Sequence, residues 1–460
     1  MDNNSFGVQA KGSANKASWY TGPSYRGVDY SPTWPSWIAT PNSQTGDSDF
    51  ANDAFQSFWS KKYITPPTGS TSVPVDNSPN YRDDLGTISN HKFNLIRLYN
   101  WDMARGTTAS SDTGLDHINF LNYANACNVK VVVPVSDYFL GNNQYSWNSA
   151  SLIDYKLTSA PAAIQKDFKQ FIASITDPST NKIHTAIHSI SIGNEGDIGQ
   201  GISSPATTAS QFLERTIWWI VNIRKAISTI STNNVLLSAT FSNGDQGGNT
   251  GSWFNYLVNG ATANAQTPNG TALGSTFSTA VKGLSAADPS YKSYYYNSVN
   301  IAQVTPTAPF SNTLAATLAL YDAGSTTSWP FAKFDVPILF MEVFTPNRGG
   351  SFTPQDQATA ALGQISALED YLKTNNAGTA NSTTHFMGYC YFEFNNEQQK
   401  KITGLFEYPT SPTPPNVSTG TTSTFYGGFG TMSIPLYTLQ KAVGSTAGKT
   451  LIDQIKALIP

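Results

Sequence analysis

The chain has 460 residues, of which 39% are hydrophobic and 12% aromatic, so it can build a substantial core. Charged residues make up only 12% and the formal net charge is −3, which excludes the basic surface that nucleic acid or an anionic membrane would require. Asn, Ser, Thr, Gly and aromatic residues fill the surface instead. This balance suits a neutral polar partner such as a sugar as well as it suits an ordinary low-charge extracellular surface.

Two cysteines, Cys127 and Cys390, are too few for a disulfide scaffold or a zinc site, and their apolar surroundings predict buried free thiols. No run approaches transmembrane length, and the opening residues MDNNSFGVQAKGSANK lack the apolar core of a signal peptide. Either a signal sequence has been removed or the protein is not exported. We expect a monomer that is extracellular or associated with the cell wall.

Eight apolar runs are strand candidates, and helical patterns separate most of them. The runs cover residues 25–30, 93–99, 130–135, 189–194, 235–240, 299–304, 337–342 and 386–394. Helical spacing of apolar residues occurs near 115–124, 162–175, 212–227, 313–323 and 362–372. Long insertions follow the first, fifth and eighth runs, so all three insertions would lie on the same face of a sheet of parallel strands.

Strands that alternate with helices predict parallel pairing, and eight of them predict a closed (β/α)8 TIM barrel with long loop insertions on the catalytic face. No GxGxxG or phosphate loop follows the first strand, which disfavours a dinucleotide-binding fold. We expect residues 1–24 to be an N-terminal extension and residues 25–460 to be a single barrel domain. A helix at 444–458 is expected to close it.

Two of the apolar runs deliver a carboxylate at their ends. The run IHSISIGNEGD ends in Gly193, Asn194 and Glu195, and the run VPILFMEVF delivers Glu342. The carboxyl ends of parallel barrel strands meet at one rim, where barrel enzymes keep their chemistry. One such carboxylate is as often a cap or a salt-bridge partner, but two on matching strands predict a pair.

A pair of this kind is what glycoside hydrolysis requires, because one carboxylic acid protonates the leaving oxygen and a second carboxylate acts at the anomeric carbon. A separation of about 5 Å predicts retention of configuration, and about 6.5–9.5 Å predicts inversion. The two carboxyls must hold different protonation states at one pH, so their environments must differ. The five histidines show no zinc spacing, and we expect neither a metal nor a cofactor.

Asn194-Glu195 at the end of the fourth strand and Glu342 at the end of the seventh resemble the signature of clan A retaining glycoside hydrolases. Within that clan, four motifs are closest to the β-1,3-glucanase and β-1,3-glucanosyltransferase families 17 and 72. YRGVDYSP at 25–32 is similar to their first strand and IRLYNWD at 96–102 to the second. VPILFMEVF is similar to the strand of the nucleophile. YFEFNNEQQKKITGLFEY at 391–408 is similar to the eighth strand and following loop of family 72.

The resemblance implies a double displacement in which Glu195 is the general acid/base and Glu342 is the nucleophile. It also implies that Asn194 hydrogen-bonds the sugar 2-hydroxyl. Arg97 would lie beneath Glu342, with a positive charge that keeps this carboxylate ionised. The alternative for Arg97 is an ordinary buried ion pair inside the barrel.

Further sugar contacts are expected at or just beyond the strand ends, where aromatic rings could stack on pyranose faces. Trp101 or Tyr99 is expected to stack near the scission point. Gln303 or Thr305 stands where the families carry a Tyr after the sixth strand, and Phe344 stands close behind the nucleophile, where they carry a Gly. The expected substrate-binding residues are Asn194, Arg97, Tyr30, Tyr99, Trp101, Asp102, Tyr138, Gln303 and Phe344.

These observations predict a retaining enzyme that hydrolyses or transglycosylates a β-glucan, with β-1,3-glucan as the first expected polysaccharide or oligosaccharide substrate. One alternative is another clan A specificity, such as β-1,4-glucan, β-1,6-glucan or mannan. A second alternative, from a different class, is a non-catalytic carbohydrate-binding barrel. Product analysis on a panel of linear glucans separates the three.

Overall fold

The structure of the protein is a computed structural model. It describes residues 8–9, 19–20, 23–30, 83–99, 101, 117–141, 147, 152–198, 207–230, 235–242, 249–267, 273–302, 336–344, 354–375, 386–394, 404–407, 422–424, 431–433, 441–442 and 449–460. Within these residues the chain forms a closed barrel of parallel strands with helices around it, which confirms the predicted (β/α)8 fold.

The barrel contains all eight predicted strands, with ends that differ from the predicted ones by at most three residues. Each strand pairs in parallel with the next along the chain, and the last pairs with the first to close the sheet. The strands are β1 (Tyr25–Asp29), β2 (Leu95–Arg97), β3 (Lys130–Val135), β4 (Ile187–Asn194), β5 (Leu236–Ser242), β6 (Asn297–Ala302), β7 (Ile338–Phe344) and β8 (Phe386–Tyr391).

Helices occur in most of the connections between strands, as the helical patterns predict. They are α1 (Asp84–Asn90), α2 (Ile118–Ala126), α3 (Ala162–Ser174), α4 (Ala209–Ile230), α5 (Asn249–Asn259), α6 (Leu284–Ala287), α7 (Pro354–Asn375) and α8 (Leu451–Leu458). The predicted helix at 313–323 lies outside the described residues. No helix in the described part of the chain is long and apolar enough to cross a membrane.

Short paired strands and 3-10 turns lie outside the barrel sheet. Antiparallel pairs join Val8–Gln9 to Trp19–Tyr20, Thr176–Asp177 to Lys182–Ile183, Phe406–Glu407 to Lys441–Ala442, and Thr422–Thr424 to Thr431–Ser433. The 3-10 turns are Asp137–Phe139, Ile153–Tyr155, Leu157–Ser159, Gly196–Ile198 and Tyr291–Ser293. The turns at 137–139 and 196–198 directly follow barrel strands and shape the candidate site.

The apolar side chains form two cores, one on each face of the barrel wall. The larger core packs the outer faces of the strands against the helices. The smaller core fills the barrel and consists of Tyr25, Leu95, Val132, Leu236, Tyr296, Leu339, Met341, Met387 and Cys390. Because both faces of the wall are covered, β3 and β7 are nearly continuous apolar runs, whereas buried polar side chains interrupt the apolar residues of β4, β5 and β6.

The two cysteines are free, and they differ in burial. Cys390 is buried inside the barrel, where its Sγ lies 2.5 Å from the position of a Cβ built on Gly27. Any larger residue at position 27 would therefore displace the thiol. Cys127 is only partly buried, because it follows the last residue of α2. The predicted burial is thus right for Cys390 and wrong for Cys127.

The described C-terminal helix begins at Leu451 and has the predicted apolar stripe, while residues 444–448 of the predicted helix lie outside the described residues. It begins after Thr450, whose hydroxyl accepts a hydrogen bond from the amide of Asp453 at 3.3 Å, as an N-cap does. Leu451 and Ile455 are buried, Leu458 is partly buried, and the helix contacts α7. The division into residues 1–24 and a single domain at 25–460 stays a prediction.

On the outer face of the barrel, Glu369 of α7 connects β1 to β8. The Arg26 Nε and Nη2 donate to its two carboxylate oxygens at 2.7 and 2.8 Å, and the Tyr389 hydroxyl donates to Oε1 at 2.8 Å. Arg26 and Tyr389 are neighbours in the β1–β8 pairing. Burial alone would lower the pKa of Arg26, but Glu369 raises it above the ordinary value.

Glu369→Ala should lower the free energy of unfolding by about 3 kcal/mol, because it removes the counter-charge of a largely buried guanidinium. Urea denaturation measures this change. The matched control is Lys156→Ala, since the ammonium of Lys156 lies 3.9 Å from Asp154 in an ion pair whose side chains are 64% and 63% exposed. That control should change the free energy by less than about 0.5 kcal/mol. Equal effects of the two substitutions would contradict the assigned role.

Candidate active site

The two predicted glutamates lie at the carboxyl ends of their strands, and hydrogen bonds connect them. Glu195 directly follows β4, and Glu342 lies near the end of β7. Three side chains from other positions on the rim stand between them: Arg97 of β2, Asn194 of β4 and Asn300 of β6. The structure therefore brings the two glutamates to one rim of the barrel.

Glu342 is held by donors from the end of β2. Arg97 Nη1 and the Tyr99 hydroxyl both donate to Glu342 Oε1, the latter at 2.8 Å. Glu342 is 6% exposed, so most water is excluded from this pair. Asp29 of β1 shares the same guanidinium, with its Oδ1 at 3.8 Å from Arg97 Nη1. Two donors on one oxygen suit a carboxylate that carries negative charge.

Arg97 is a fixed cation at the centre of this group. Its side chain is buried, and its guanidinium lies 4.2 Å from the centroid of the Tyr99 ring. Burial alone would lower the pKa of Arg97, but Tyr99, Glu342 and Asp29 together raise it above the ordinary value. Burial in turn raises the pKa of Tyr99 well above its ordinary value, so the phenol keeps its proton and donates it.

Asn194 and Asn300 extend the connection to Glu195. Asn194 Oδ1 accepts from Arg97 Nη2 at 2.7 Å and from Asn300 Nδ2 at 3.0 Å. Asn300 Nδ2 also donates to Glu195 Oε1 at 3.0 Å. The hydrogen-bonded chain is therefore Glu342–Arg97–Asn194–Asn300–Glu195. Glu342 faces a guanidinium and a phenol, whereas the donor described for Glu195 is a neutral amide.

The backbone at Glu195 is held in an unusual conformation. Gly193 has φ +72° and Glu195 has φ 55°, which is a costly value for a residue with a side chain. The Glu195 amide donates to the Thr240 carbonyl of β5 at 3.1 Å. A Cβ at position 193 would lie 2.8 Å from Asp137 Oδ1, so this close approach requires glycine.

Two aspartates accept hydrogen bonds from the backbone on either side of this turn. Asp137, just after β3, accepts from the Asn194 amide at 2.9 Å. Asp197, two residues beyond Glu195, accepts from the Ser242 amide at the end of β5 at 3.0 Å. Together they join the turn of Glu195 to the neighbouring strands.

Both aspartates have raised pKa values. Burial, and secondarily the charge of Glu195, raises the pKa of Asp137 to about 8 against the opposing effects of the Asn194 amide and Arg97. Burial, with smaller contributions from Glu195 and Asp137, raises the pKa of Asp197 well above its ordinary value. The neutral form of each carboxyl is thus favoured beside Glu195.

Asp137→Asn should become more stable relative to the parent as pH rises from 5 to 8. The folded protein keeps the Asp137 proton up to about pH 8, whereas the unfolded chain releases it near the ordinary pKa of 3.8. Parent stability therefore falls through this window, by at most about 1.4 kcal/mol per pH unit from this residue. An asparagine oxygen still accepts the Asn194 amide and has no proton to lose.

Urea denaturation of parent and variant at pH 5, 6.5 and 8 measures this difference. We expect the free energy of unfolding of the variant, relative to the parent, to increase at each step. A difference that does not depend on pH would contradict the raised pKa of Asp137. The comparison cancels the carboxyls that do not interact with Asp137, whereas Glu195 and Asp197 are coupled to it and contribute to the measured difference.

The structure contradicts the sugar contact expected of two rings, Tyr30 and Trp101. Tyr30 is 0% exposed and its hydroxyl donates to Asp84 at 2.9 Å. Trp101 is 5% exposed and its indole nitrogen donates to Ser174 at 2.8 Å, so both rings are core residues. Tyr99 does lie in the site, but Arg97 covers one face of its ring and its hydroxyl contacts Glu342.

For the other expected site residues, the structure describes either the backbone alone or nothing. Asp102 and Gln303 lie outside the described residues. Tyr138 lies in the 3-10 turn after β3 and Phe344 is the last residue of β7, and only their backbone positions are described. Among the described residues, no group of three or more His, Cys, Asp or Glu side chains could hold a metal ion.

Sequence reasoning missed four polar residues of the site. Asp29 lies inside the YRGVDY motif, and Asp137 follows β3 much as Glu195 follows β4. Both residues could therefore have been identified as site candidates from the sequence. Asp197 lies in the IHSISIGNEGD run itself. Asn300 is a polar residue within the run VNIAQV, and only the barrel register places it beside Glu342, its partner in the β6–β7 pairing.

No protein-family model matches the chain, and no curated protein matches it. Among solved structures, Saccharomyces cerevisiae Gas2p in complex with laminaripentaose is similar, with 11% identity and a TM-score of 0.39 over 91% of this chain and 66% of that one. ScGas2 in complex with compound 6 has 11% identity and a TM-score of 0.45 over 98% and 69% of the two chains.

A third similar structure is Bacteroides uniformis beta-glucuronidase 2 covalently bound to cyclophellitol-6-carboxylate aziridine. It has 12% identity and a TM-score of 0.38 over 72% of this chain and 31% of that one. At this identity and these TM-scores the likenesses identify no family. The barrel assignment therefore rests on the strand pairing of the chain itself.

Proposed function

We propose that the protein is a retaining glycoside hydrolase or transglycosylase that acts on a β-glucan, with Glu342 as nucleophile and Glu195 as general acid/base. The observation that carries the proposal is the hydrogen-bonded chain Glu342–Arg97–Asn194–Asn300–Glu195. It holds two carboxyls at one rim in unlike surroundings, which supports their use as the acid and the carboxylate of glycoside hydrolysis. The retaining course, by double displacement, follows from the resemblance of the sequence motifs to clan A.

In the first step the Glu342 carboxylate attacks the anomeric carbon. The bond from this carbon to the leaving oxygen breaks, and the oxygen takes the electron pair together with the proton of Glu195. In the second step Glu195 removes a proton from water or a sugar hydroxyl, which attacks the same carbon. The ester bond to Glu342 then breaks and the carboxylate is restored.

The orientation of the Asn194 amide supports a role in binding the sugar. Arg97 can only donate, so the atom that it contacts must be the amide oxygen of Asn194. That oxygen also accepts from Asn300. Among the described residues nothing accepts from Asn194 Nδ2, so its hydrogens can donate to a sugar hydroxyl beside the two carboxyls, which agrees with the contact to the 2-hydroxyl that the family resemblance implies.

The choice of β-1,3-glucan rests on the sequence motifs around β1, β2, β7 and β8. The extracellular or cell-wall location and the monomeric state are part of the same proposal. Linear laminari-oligosaccharides are therefore the first substrates to test. β-1,4-Glucan, β-1,6-glucan and mannan represent the other clan A specificities.

Incubation with this panel, followed by product separation and proton NMR of the first-formed products, tests the function. We expect shorter or elongated oligosaccharides from β-1,3-glucan, with the new anomeric centre in the β configuration. The double variant Glu195→Gln, Glu342→Gln serves as the inactive control. Binding of several glucans without cleavage by the parent protein would replace the proposal with a non-catalytic carbohydrate-binding function.

A further inference from the structure

Asn300 is the one side chain in the described part of the site that contacts both Asn194 and the general acid/base. It lies on β6, is 2% exposed, and places Nδ2 at 3.0 Å from Asn194 Oδ1 and 3.0 Å from Glu195 Oε1. Its own Oδ1 is buried and accepts no hydrogen bond from the residues that the structure describes.

The orientation of the Asn300 amide follows from its neighbours. Arg97 fixes Asn194 Oδ1 as an acceptor, so the atom of Asn300 that faces it must be a donor. Rotation of the amide would bring Asn300 Oδ1 against Asn194 Oδ1 and Glu195 Oε1, and acceptors would then face each other. The nitrogen therefore points at both oxygens, one hydrogen to each.

This orientation determines where Glu195 can carry its proton. A hydrogen on Glu195 Oε1 that pointed towards Asn300 would meet the Nδ2 hydrogens, so Oε1 must accept. We propose that Asn300 is a positioning residue that keeps Glu195 Oε1 as an acceptor and thereby places the transferable proton on Oε2. The inference rests on the proposed function and specifies how its general acid/base is oriented.

The chemical consequence concerns both steps of the reaction. When Oε2 gives its proton to the leaving oxygen, Glu195 becomes a carboxylate, and the Asn300 N–H stabilises the new charge on Oε1. When Oε2 takes a proton from the attacking hydroxyl, the same contact holds the carboxylate in place. Among the described residues, the charged and titratable groups of this site are Asp137 and Asp197 beside Glu195, and Arg97 and Glu342 across the hydrogen-bonded chain.

The test compares Asn300→Ala and Asn300→Asp with the parent, and Ser298→Ala is the matched control. Ser298 is also a buried polar residue of β6, but its hydroxyl contacts the Thr240 hydroxyl at 2.7 Å and the Ala239 carbonyl at 3.0 Å. Asn300→Asp keeps the shape of the side chain and, when ionised, cannot donate. The probes are laminaripentaose and an activated 2,4-dinitrophenyl β-laminaribioside.

We expect Asn300→Ala to lower kcat/KM on laminaripentaose by about ten-fold or more and on the activated substrate by less than about three-fold, because only the former needs a proton on its leaving group. The basic limb of the pH profile should move up by about one unit in Asn300→Ala and at least as far in Asn300→Asp. Ser298→Ala should change neither quantity. Equal losses on both substrates with an unmoved basic limb would overturn the proposal.

An infrared titration tests the same contact without turnover. The carboxyl band of Glu195 is identified by its loss in Glu195→Gln. We expect its titration midpoint to be higher in Asn300→Asp than in the parent and unchanged in Ser298→Ala. An unchanged midpoint in Asn300→Asp would overturn the role of Asn300. If the parent protein cleaves neither probe, the proposed function is overturned. The infrared midpoint of Glu195 then decides the role of Asn300 by itself.

Discussion

Glu342→Ala should lose at least about a thousand-fold in turnover on every β-glucoside that the parent protein cleaves, because no covalent glycosyl intermediate can form. Binding of the substrate should survive, since the contacts to its hydroxyl groups do not require this carboxylate. Turnover is measured from the products formed, and substrate binding is measured by calorimetry. Residual rates near those of the parent would contradict the assignment of the nucleophile.

Two controls separate chemistry from folding in this variant. Glu342→Ala leaves Arg97 with Asp29, 3.8 Å away, as a counter-charge, so Glu342→Gln is a second variant that keeps an acceptor for the guanidinium. Both should show the circular dichroism of the parent. Glu214→Gln, which changes a partly buried glutamate of α4, should keep full activity. Added azide should restore turnover of the Ala variant, if at all, by direct displacement to the α-glycosyl azide.

Glu195→Ala should show a different pattern, because the general acid matters in proportion to how poor the leaving group is. On laminaripentaose we expect a loss of about a hundred-fold to ten-thousand-fold. On a 2,4-dinitrophenyl glycoside the glycosylation step should survive, and the glycosyl-enzyme should accumulate for want of a base. A burst of dinitrophenol equal to the enzyme concentration would report this accumulation.

Azide then distinguishes the two glutamates by stereochemistry. It attacks the glycosyl-enzyme of Glu195→Ala without base assistance, so it should restore turnover and yield the β-glycosyl azide. An α-azide from this variant, or parent rates on both substrates without azide, would show that the roles are misassigned. The opposite products expected from the Glu195 and Glu342 variants make the comparison informative even when both are slow.

The most apolar barrel strands, β3 and β7, could be predicted from the sequence because parallel strands covered on both faces are nearly continuous apolar runs. Residues 130–135 illustrate this, since the predicted bounds and those of β3 coincide. Strand ends were less predictable. The run at 299–304 predicts β6 two residues too late, because Asn297 and Ser298 are polar in sequence although the structure buries both.

The glutamate pair was predictable, whereas most of its surroundings were not. Glu195 and Glu342 stand out because each follows an apolar run, and their common rim follows from the barrel topology. Asn300 reaches Glu195 only through the side-by-side placement of β4, β5 and β6, which local sequence does not encode. The wrong aromatic prediction has a simple cause, since a ring after a strand can enter the core when Asp84 or Ser174 satisfies its polar atom.

The central claim is that Glu342 becomes covalently glycosylated, and trapping of this intermediate tests it most directly. A 2-deoxy-2-fluoro-β-laminaribiosyl fluoride slows both steps but forms the intermediate through its good leaving group. Mass spectrometry of the intact protein should show one added disaccharide, and peptide mapping should place it on Glu342. Labelling of another carboxylate in an active protein, or turnover of the reagent with no labelled species, would contradict the account.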